Sequence, residues 1–128
     1  MKTVILTAGN GDGLSSDSGN DGDDRARGSY FDPRFKRLLW YLIASTRGGI
    51  NRARILELIN SHPANAHQIA QELKLDYKTI VHHLDVLSQN GLIITDNKDT
   101  YGATYFLTPL MEKNYRSFIE ILVKFGKK

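Results

Sequence analysis

Apolar residues recur at helical spacing from about residue 32 onwards, and each run is bounded by residues that begin or end helices. The first run follows "FDPRF", where Asp32 can cap a helix and Pro33 suits its first position. The helix should continue to about residue 46 and stop at the glycines at positions 48 and 49. Its inner stripe consists of Phe35, Leu38, Leu39 and Leu42. Because Trp40 and Tyr41 lie on other faces, the helix is apolar nearly all round, which predicts burial on more than one side.

A second helix is predicted in "INRARILELINSHP", with Asn51 as its cap and Pro63 in the loop that ends it. Arg52 and Arg54 fall in the first turn of this helix. Their guanidinium groups can contact DNA phosphates or be solvated, and the sequence leaves both interpretations open.

The segment "NAHQIAQELKLDYKTIVHHLDVLSQNG" predicts two helices joined by a tight turn. Asn65 and Gln68 form a capping-box pair at the start of the first helix, and Asp76 caps the second. The core-facing positions of the second helix are Ile80, Leu84 and Leu87. The helix is expected to end at the Asn-Gly pair at positions 90 and 91.

After this pair the hydrophobic pattern changes to period two. "LIITD" and "ATYFLT" read as two strands of a hairpin around "NKDTYG". "TPLMEKNYRSFIEILVKFGKK" predicts a last helix, capped by Thr108 and opened by Pro109. The apolar stripe of this helix is Met111, Tyr115, Phe118, Ile119 and Leu122. Because the domain is small, it has little remaining surface on which this stripe can pack. A second subunit is therefore expected to bury the stripe.

This order of elements predicts a mainly α fold with a small β-hairpin (α+β): a winged helix-turn-helix with additional N- and C-terminal helices. Residues 1–29 are expected to form a disordered acidic, Gly- and Ser-rich tail, because they hold too few apolar residues to offset their ordering entropy. Residues 30–108 should contain the first helix and the DNA-binding domain, and residues 109–128 a C-terminal dimerisation helix.

The two adjacent histidines in "YKTIVHHL" have different expected roles. At ~100° per residue, His82 points away from the apolar face, whereas His83 lies about 60° from the centre of that face. We therefore expect His83 to be packed, with one ring nitrogen hydrogen-bonded. In a helix-turn-helix the N-terminal residues of the second helix meet base edges in the major groove. The candidate DNA contacts on this helix are Tyr77, Lys78, Thr79 and His82. The alternative is that these residues are merely solvated.

Charge is distributed unevenly along the chain, although the net charge is only +3. Residues 1–29 hold five acids and three bases, which leaves 14 bases and nine acids in residues 30–128. A basic folded part fits a nucleic-acid partner. Lys98 at the hairpin tip fits it too, because wing tips approach the minor groove or the backbone; a solvated turn is the alternative.

Other chemistries find little support. The chain has no cysteine, which excludes disulfides and thiolate metal sites. His82 and His83 diverge by ~100° on a helix, and no histidine–carboxylate spacing resembles a zinc motif, so we expect neither a metal site nor a cofactor. No nucleophile motif or Gly-rich phosphate loop is present, so we expect no enzyme activity.

The N-terminus lacks the apolar core of a secretory signal, and "LLWYLIA" is far shorter than the roughly 20 residues that span a bilayer. We expect no membrane partner, and a cytoplasmic, nucleoid-associated location.

The residues of the helix pair also carry a family resemblance. Ala70, Leu73, "TIVHHL", "VL" and "NGLI" follow one another as in the helix-turn-helix of the ArsR-like winged-helix regulators, which this segment resembles. The longer pattern "TRGGINRARILELI", "YKTIVHHL" and "YG..Y.LT" resembles in particular a set of archaeal regulators. The similarity spans about Trp40 to Pro109. It implies a winged-helix fold and a transcriptional regulator that binds double-stranded DNA.

The resemblance further implies where the contacts lie. The family's recognition helix corresponds to Tyr77 through Leu87, and its wing to Thr95 through Tyr105. ArsR-like proteins are usually homodimers joined through their terminal helices, which agrees with the apolar excess of the first and last helices here. The expected interface residues are Leu38, Trp40, Tyr41, Tyr115, Phe118, Ile119 and Leu122. Metal-sensing members use cysteine thiolates, so thiolate-bound metal is not expected in this chain.

Three functions fit these features. The first is a homodimeric, sequence-specific transcriptional regulator. The second is a sequence-tolerant chromatin or architectural protein that reads only the DNA backbone. The third is a winged-helix protein-interaction module, against which the basic folded part and the outward Lys78 and His82 argue.

Overall fold

Six helices and three short strands make up the part of the chain that the computed structural model describes, residues 32–97 and 102–125. In chain order they are α1 (Pro33–Trp40, continued by a π-helical turn, Tyr41–Ser45), α2 (Gly49–Ser61), β1 (Ala64–Asn65), α3 (Ala66–Leu73), α4 (Tyr77–Gln89), β2 (Ile93–Thr95), β3 (Thr104–Leu107), α5 (Pro109–Lys113) and α6 (Tyr115–Phe125). The predicted tail, residues 1–29, lies outside the described residues.

Side-chain caps begin helices α3 and α5 as the sequence predicts. The Asn65 side chain accepts a bond from the backbone N–H of Gln68, and the Gln68 side chain accepts one from the backbone N–H of Asn65, both at 2.8 Å. The Thr108 hydroxyl accepts from the backbone N–H of Met111 at 3.1 Å. The capping box of α3 and the cap of α5 are therefore confirmed.

The start of α2 differs from the prediction. The helix begins at Gly49, two residues before Asn51, and Gly48 at its N-cap makes no side-chain capping bond. Asn51 is therefore not the cap. The reason is a close backbone approach: a Cβ on Gly49 would overlap the carbonyl oxygen of Ile43. Since glycine has no Cβ, α2 can begin directly against the π-helical turn.

The predicted C-terminal helix is two helices, α5 and α6, separated at Asn114. Asn114 is buried, and its side-chain amide donates to the carbonyl oxygen of Leu110 at 3.0 Å. Its backbone N–H is shared between the carbonyl oxygens of Leu110 and Met111, 3.1 and 3.2 Å away. A side chain that bonds its own backbone competes with regular helix, which accounts for the break.

The sheet has three antiparallel strands in the order β1-β3-β2. Ile93 pairs with Leu107 in the predicted hairpin, while Ala64 and Asn65 add a third strand beside Tyr105 and Thr104. The sequence predicted only β2 and β3, because β1 is too short to show a period-two pattern. The fold class, mainly helical with a small sheet in winged helix-turn-helix order, is confirmed.

Every described helix contributes to one hydrophobic core. The largest fully buried side chains are Leu39, Ile43, Ile55, Leu56, Ile69, Ile80, Leu84, Leu87, Leu92, Met111, Phe118 and Ile121. Helix α6 packs against α1, and the Lys36 ammonium and the Glu120 carboxylate form an ion pair of 2.9 Å between these two helices. The N- and C-terminal helices therefore belong to the same compact unit as the helix pair. This unit begins at Pro33.

Candidate nucleic-acid interface

The turn between α3 and α4 sets the orientation of α4 relative to α3. Lys74 adopts the left-handed conformation (φ 58°), and the backbone N–H of Leu75 donates back to the carbonyl oxygen of Ala70 at 3.1 Å. This is the common way to end a helix. The Asp76 carboxylate then accepts a bond from the backbone N–H of Thr79 at 3.2 Å, which confirms Asp76 as the cap of α4.

Helix α4 buries one face and exposes the other, as its helical periodicity predicts. Its core-facing residues Ile80, Leu84 and Leu87 are buried. Of the predicted DNA contacts, Tyr77, Lys78 and His82 are exposed and Thr79 is half-buried. The polar groups at the capped end of α4 are therefore accessible to another molecule.

The Tyr77 ring has a partner that the sequence analysis missed. It stacks on the His67 ring, with centroids 4.4 Å apart and planes 21° from parallel. His67 is in the first turn of α3, and Tyr77 is the first residue of α4. The capping box could have indicated this contact, because it makes His67 the second residue of a helix rather than part of a loop. Since the stack restrains the tyrosine, Tyr77 presents its ring in a defined orientation.

Arg54 contacts the end of α3. Its guanidinium Nη2 donates to the carbonyl oxygen of Leu73 at 3.0 Å, and the side chain is half-buried. A cation at a helix C-terminus satisfies a free carbonyl and complements the helix dipole. Arg54 therefore joins α2 to the helix-turn-helix, while a phosphate contact by this residue stays a prediction.

Arg52 is not on the surface, so the expectation that it is accessible to a phosphate is wrong. The residue is 5% exposed. Its Nε donates to the carbonyl oxygen of Leu42 at 3.0 Å, Nη2 donates to the Thr46 hydroxyl, and Nη1 lies 3.2 Å from Nδ1 of His83. The N-cap of α2 is Gly48 rather than Asn51, three residues earlier than predicted, so Arg52 lies beyond the first three helical positions; its side chain is on the buried face of the helix. Burial lowers the pKa of this guanidinium from its ordinary value.

His83 is packed with one ring nitrogen in a hydrogen bond, as the sequence predicts. Arginine is only a donor, so Nδ1 of His83 is the acceptor and the neutral ring carries its proton on Nε2. Burial, then the neighbouring Arg52 and then His82 lower the pKa of His83 below its ordinary value.

The base of the wing lies beside α4. The Thr95 hydroxyl donates to the carbonyl oxygen of Thr104 at 2.9 Å, and the backbone N–H of Thr104 donates to the Asp96 carboxylate at 3.2 Å. Tyr105 on β3 is half-buried; its burial, followed by the charges of Asp85 and Tyr77 on α4, raises the pKa of its hydroxyl. Lys98, the predicted contact at the wing tip, lies outside the described residues.

The predicted interface residues fall into two groups. Trp40, Tyr41 and Ile119 are exposed, and Leu38 and Tyr115 are half-buried. Phe118 and Leu122 are completely buried in the chain's own core, so their side chains have no surface to offer a partner and their prediction needs correction. Most of the predicted stripe therefore packs into the core of the same chain, where α6 contacts α1, whereas Ile119 lies outside the core. Val123 was not predicted, yet it is 62% exposed one helical turn after Ile119.

Among the residues that the structure describes, no group of three or more histidine, cysteine, aspartate or glutamate residues is arranged to hold a metal ion. None of the helices described is both long enough and apolar enough to cross a membrane.

A family model matches the part of the chain that contains the helix pair. Residues 51–95, which hold nearly all of α2 and continue through α3, α4 and β2, match the family model described as bacterial regulatory protein, arsR family. No curated protein matches the chain. The match confirms the resemblance seen in the sequence and supports a DNA-binding transcriptional regulator. The archaeal affinity stays a prediction.

Solved structures share the fold. The PcaV transcriptional regulator from Streptomyces coelicolor, in complex with its natural ligand, is 19% identical over 73% of this chain and 71% of that chain, with a TM-score of 0.55. A second structure of PcaV is 20% identical over 73% of this chain and 69% of that chain, with a TM-score of 0.52. At these identities the likeness shows the fold alone.

Proposed function

We propose that this chain, whose residues 51–95 form an ArsR-type helix-turn-helix, is a homodimeric, sequence-specific transcriptional regulator of the cytoplasm and nucleoid. Helix α4 would enter the major groove of double-stranded DNA, and the wing between β2 and β3 would approach the backbone or the minor groove.

The observation that carries this proposal is the chemistry of the exposed end of α4. Tyr77, Lys78 and His82 present a stacked ring, an ammonium and an imidazole on the side opposite the core. Lysine donates to guanine O6 and N7 or to phosphate, and Thr79 at the flank can bond a base or touch a thymine methyl. An α-helix fits the major groove, and specific reading of its base edges requires such donors near the helix start.

A dimer is supported by apolar surface on the terminal helices. Tyr41 and Val123 are 58% and 62% exposed, and Trp40 and Ile119 are also exposed. These residues lie on α1, its π-helical continuation and α6, which pack against each other. Exposed aromatic and aliphatic side chains on neighbouring elements are typical of an interface. A two-fold dimer would read an inverted repeat with half-sites one helical turn apart, ~34 Å.

The experiment that tests the proposal is selection of bound duplexes from a random DNA pool. Wild type is compared with Lys78→Ala combined with His82→Ala, and with Lys113→Ala, which removes an exposed lysine from α5, outside the helix pair and the wing. An enriched inverted repeat with wild type and Lys113→Ala, lost in the double variant, is the expected result.

Other outcomes separate the competing functions. Binding without enrichment would indicate a sequence-tolerant architectural protein. No binding even at low salt would make the exposed face of α4 a surface for a protein partner. Enrichment that survives in the double variant would contradict the assignment of the contacts to α4.

A further inference from the structure

Arg52 is a buried cation that the DNA-reading surface does not use. Its described bonds go to a carbonyl oxygen, a hydroxyl and an imidazole: Leu42 at 3.0 Å, Thr46, and Nδ1 of His83 at 3.2 Å. Burying a charged group is unfavourable unless hydrogen bonds replace its hydration. The three bonds of Arg52 therefore have to be maintained together in the folded state.

These bonds join two functional regions of the chain. Leu42 belongs to the π-helical turn and directly follows the exposed residue Tyr41. Thr46 is the first residue after that turn. His83 belongs to α4, directly after the exposed residue His82. Arg52 thus links the end of α1, where a dimer partner is proposed, to the helix proposed to read DNA.

The packing around this link leaves little room for adjustment. A Cβ on Gly48 would lie 2.5 Å from Cε1 of His83 and 2.7 Å from Nη1 of Arg52. The backbone between α1 and α2 therefore lies directly on the arginine–histidine pair. No space is left for an additional side-chain atom between this backbone and the pair.

The link also depends on the protonation state of His83. A guanidinium only donates, so Nδ1 must be unprotonated for the bond to form. The charged groups that act on His83 are Arg52 from α2 and His82 from α4 itself, and both oppose its protonation. Tyr41 of the π-helical turn acts electrostatically on Arg52. Once protonated, His83 cannot accept the bond, and two cations then face each other.

We propose that Arg52 and His83 are positioning residues for DNA reading: the bond from Arg52 to neutral His83 holds α4 in its DNA-reading orientation, and protonation of His83 releases α4 and weakens DNA binding. This inference rests on the proposed function. Its sign is distinctive, because a positive charge gained on the DNA-facing surface should strengthen binding instead.

The test uses two substitutions at His83 in the full-length chain. In His83→Asn the side-chain amide oxygen can occupy the place of Nδ1, so an acceptor remains that does not titrate. His83→Leu keeps similar bulk but leaves Nη1 of Arg52 without this acceptor. His62→Asn is the matched control, because His62 is exposed and its ring is 3.5 Å from the Glu72 carboxylate, away from Arg52.

Affinity for the selected duplex is measured by fluorescence anisotropy from pH 8 down to the lowest pH at which circular dichroism shows each variant to be folded. At pH 8 we expect His83→Asn to bind within about threefold of wild type and His83→Leu about tenfold or more weakly, the size expected when a buried donor loses its acceptor. As the pH falls, wild type and His62→Asn should lose affinity relative to His83→Asn.

If His83→Leu does not fold, the pH profiles of wild type and His83→Asn still decide the question. Equal profiles would overturn the protonation-dependent release of α4 while leaving the proposed function intact. No DNA binding by wild type at any pH would refute the proposed function and the positioning role with it. A nitrogen-detected NMR spectrum that shows a proton on Nδ1 of His83 at pH 8 would also overturn the role.

Discussion

Truncation of Phe118 to alanine should destabilise the fold strongly, whereas the same truncation of its neighbour Ile119 should not. Phe118 is 0% exposed and its ring lies 5.1 Å from that of Tyr115, in the core between α6 and the rest of the chain. Ile119 is 39% exposed on the next position of the same helix. The pair therefore separates the core-facing side of α6 from its outer side.

The magnitude follows from this burial. Replacing a fully buried phenylalanine by alanine costs ~3–5 kcal/mol, because apolar contacts are lost and a cavity remains. A domain of this size is stable by ~5–15 kcal/mol, so Phe118→Ala would remove about a fifth or more of the free energy of unfolding. Each kcal/mol lowers the melting temperature of such a domain by about 4 °C or more, which predicts a decrease of at least ~12 °C. Ile119→Ala should stay within ~1 kcal/mol of wild type.

Urea and thermal unfolding followed by circular dichroism measure both variants. Each is run at several protein concentrations, because dimerisation would add a concentration-dependent term to the stability. If Phe118→Ala unfolds within ~1 kcal/mol of wild type, α6 does not pack on its own core as described. That result would instead fit the sequence-based expectation that Phe118 faces a partner subunit.

Four further predictions concern substitutions at single positions. Asp76→Ala, which removes the cap of α4, should cost about 1 kcal/mol in thermal unfolding, and Asp76→Asn should recover most of it; no loss would contradict the cap. Gly49→Ala, whose methyl group would overlap the Ile43 carbonyl, should cost ~3 kcal/mol or more by the same measurement, and a neutral effect would contradict the close approach of α2 to the π-helical turn. Tyr41→Ser or Val123→Ser should shift sedimentation from dimer towards monomer, whereas unchanged association would remove these residues from the interface. Because burial, Arg52 and His82 lower the pKa of His83 in the folded state, the unfolded chain takes up the proton first as pH falls through about 6.5, so stability should fall over that window in wild type and stay flatter in His83→Asn.

Features set by neighbouring residues were predictable from the sequence. The caps at Asn65, Asp76 and Thr108 each form a bond to a backbone N–H three residues later, so a short window contains the whole interaction. The core face of α4 was predictable for the same reason, since helical periodicity alone separates His83 from His82.

Features set by distant parts of the chain were not predictable. Two-residue strand β1 exists because it pairs with β3, about 40 residues later in the chain. Periodicity revealed the stripe of α6, but it could not say whether that stripe faces α1 of the same chain or a second subunit. Arg52 was predicted to lie on the surface because its partner His83 is 31 residues later in the chain, and no nearby residue indicates this contact.

The central claim is tested most directly by titrating wild type and Lys78→Ala with the selected duplex and with random-sequence duplex, at about 50 mM and 200 mM salt. A sequence-specific regulator should bind the selected duplex at least ~10³-fold more tightly than random DNA. Its affinity should fall steeply with salt, and more shallowly in Lys78→Ala if that lysine contacts a phosphate. A ratio near one in wild type, or no binding at the lower salt concentration, would contradict the claim.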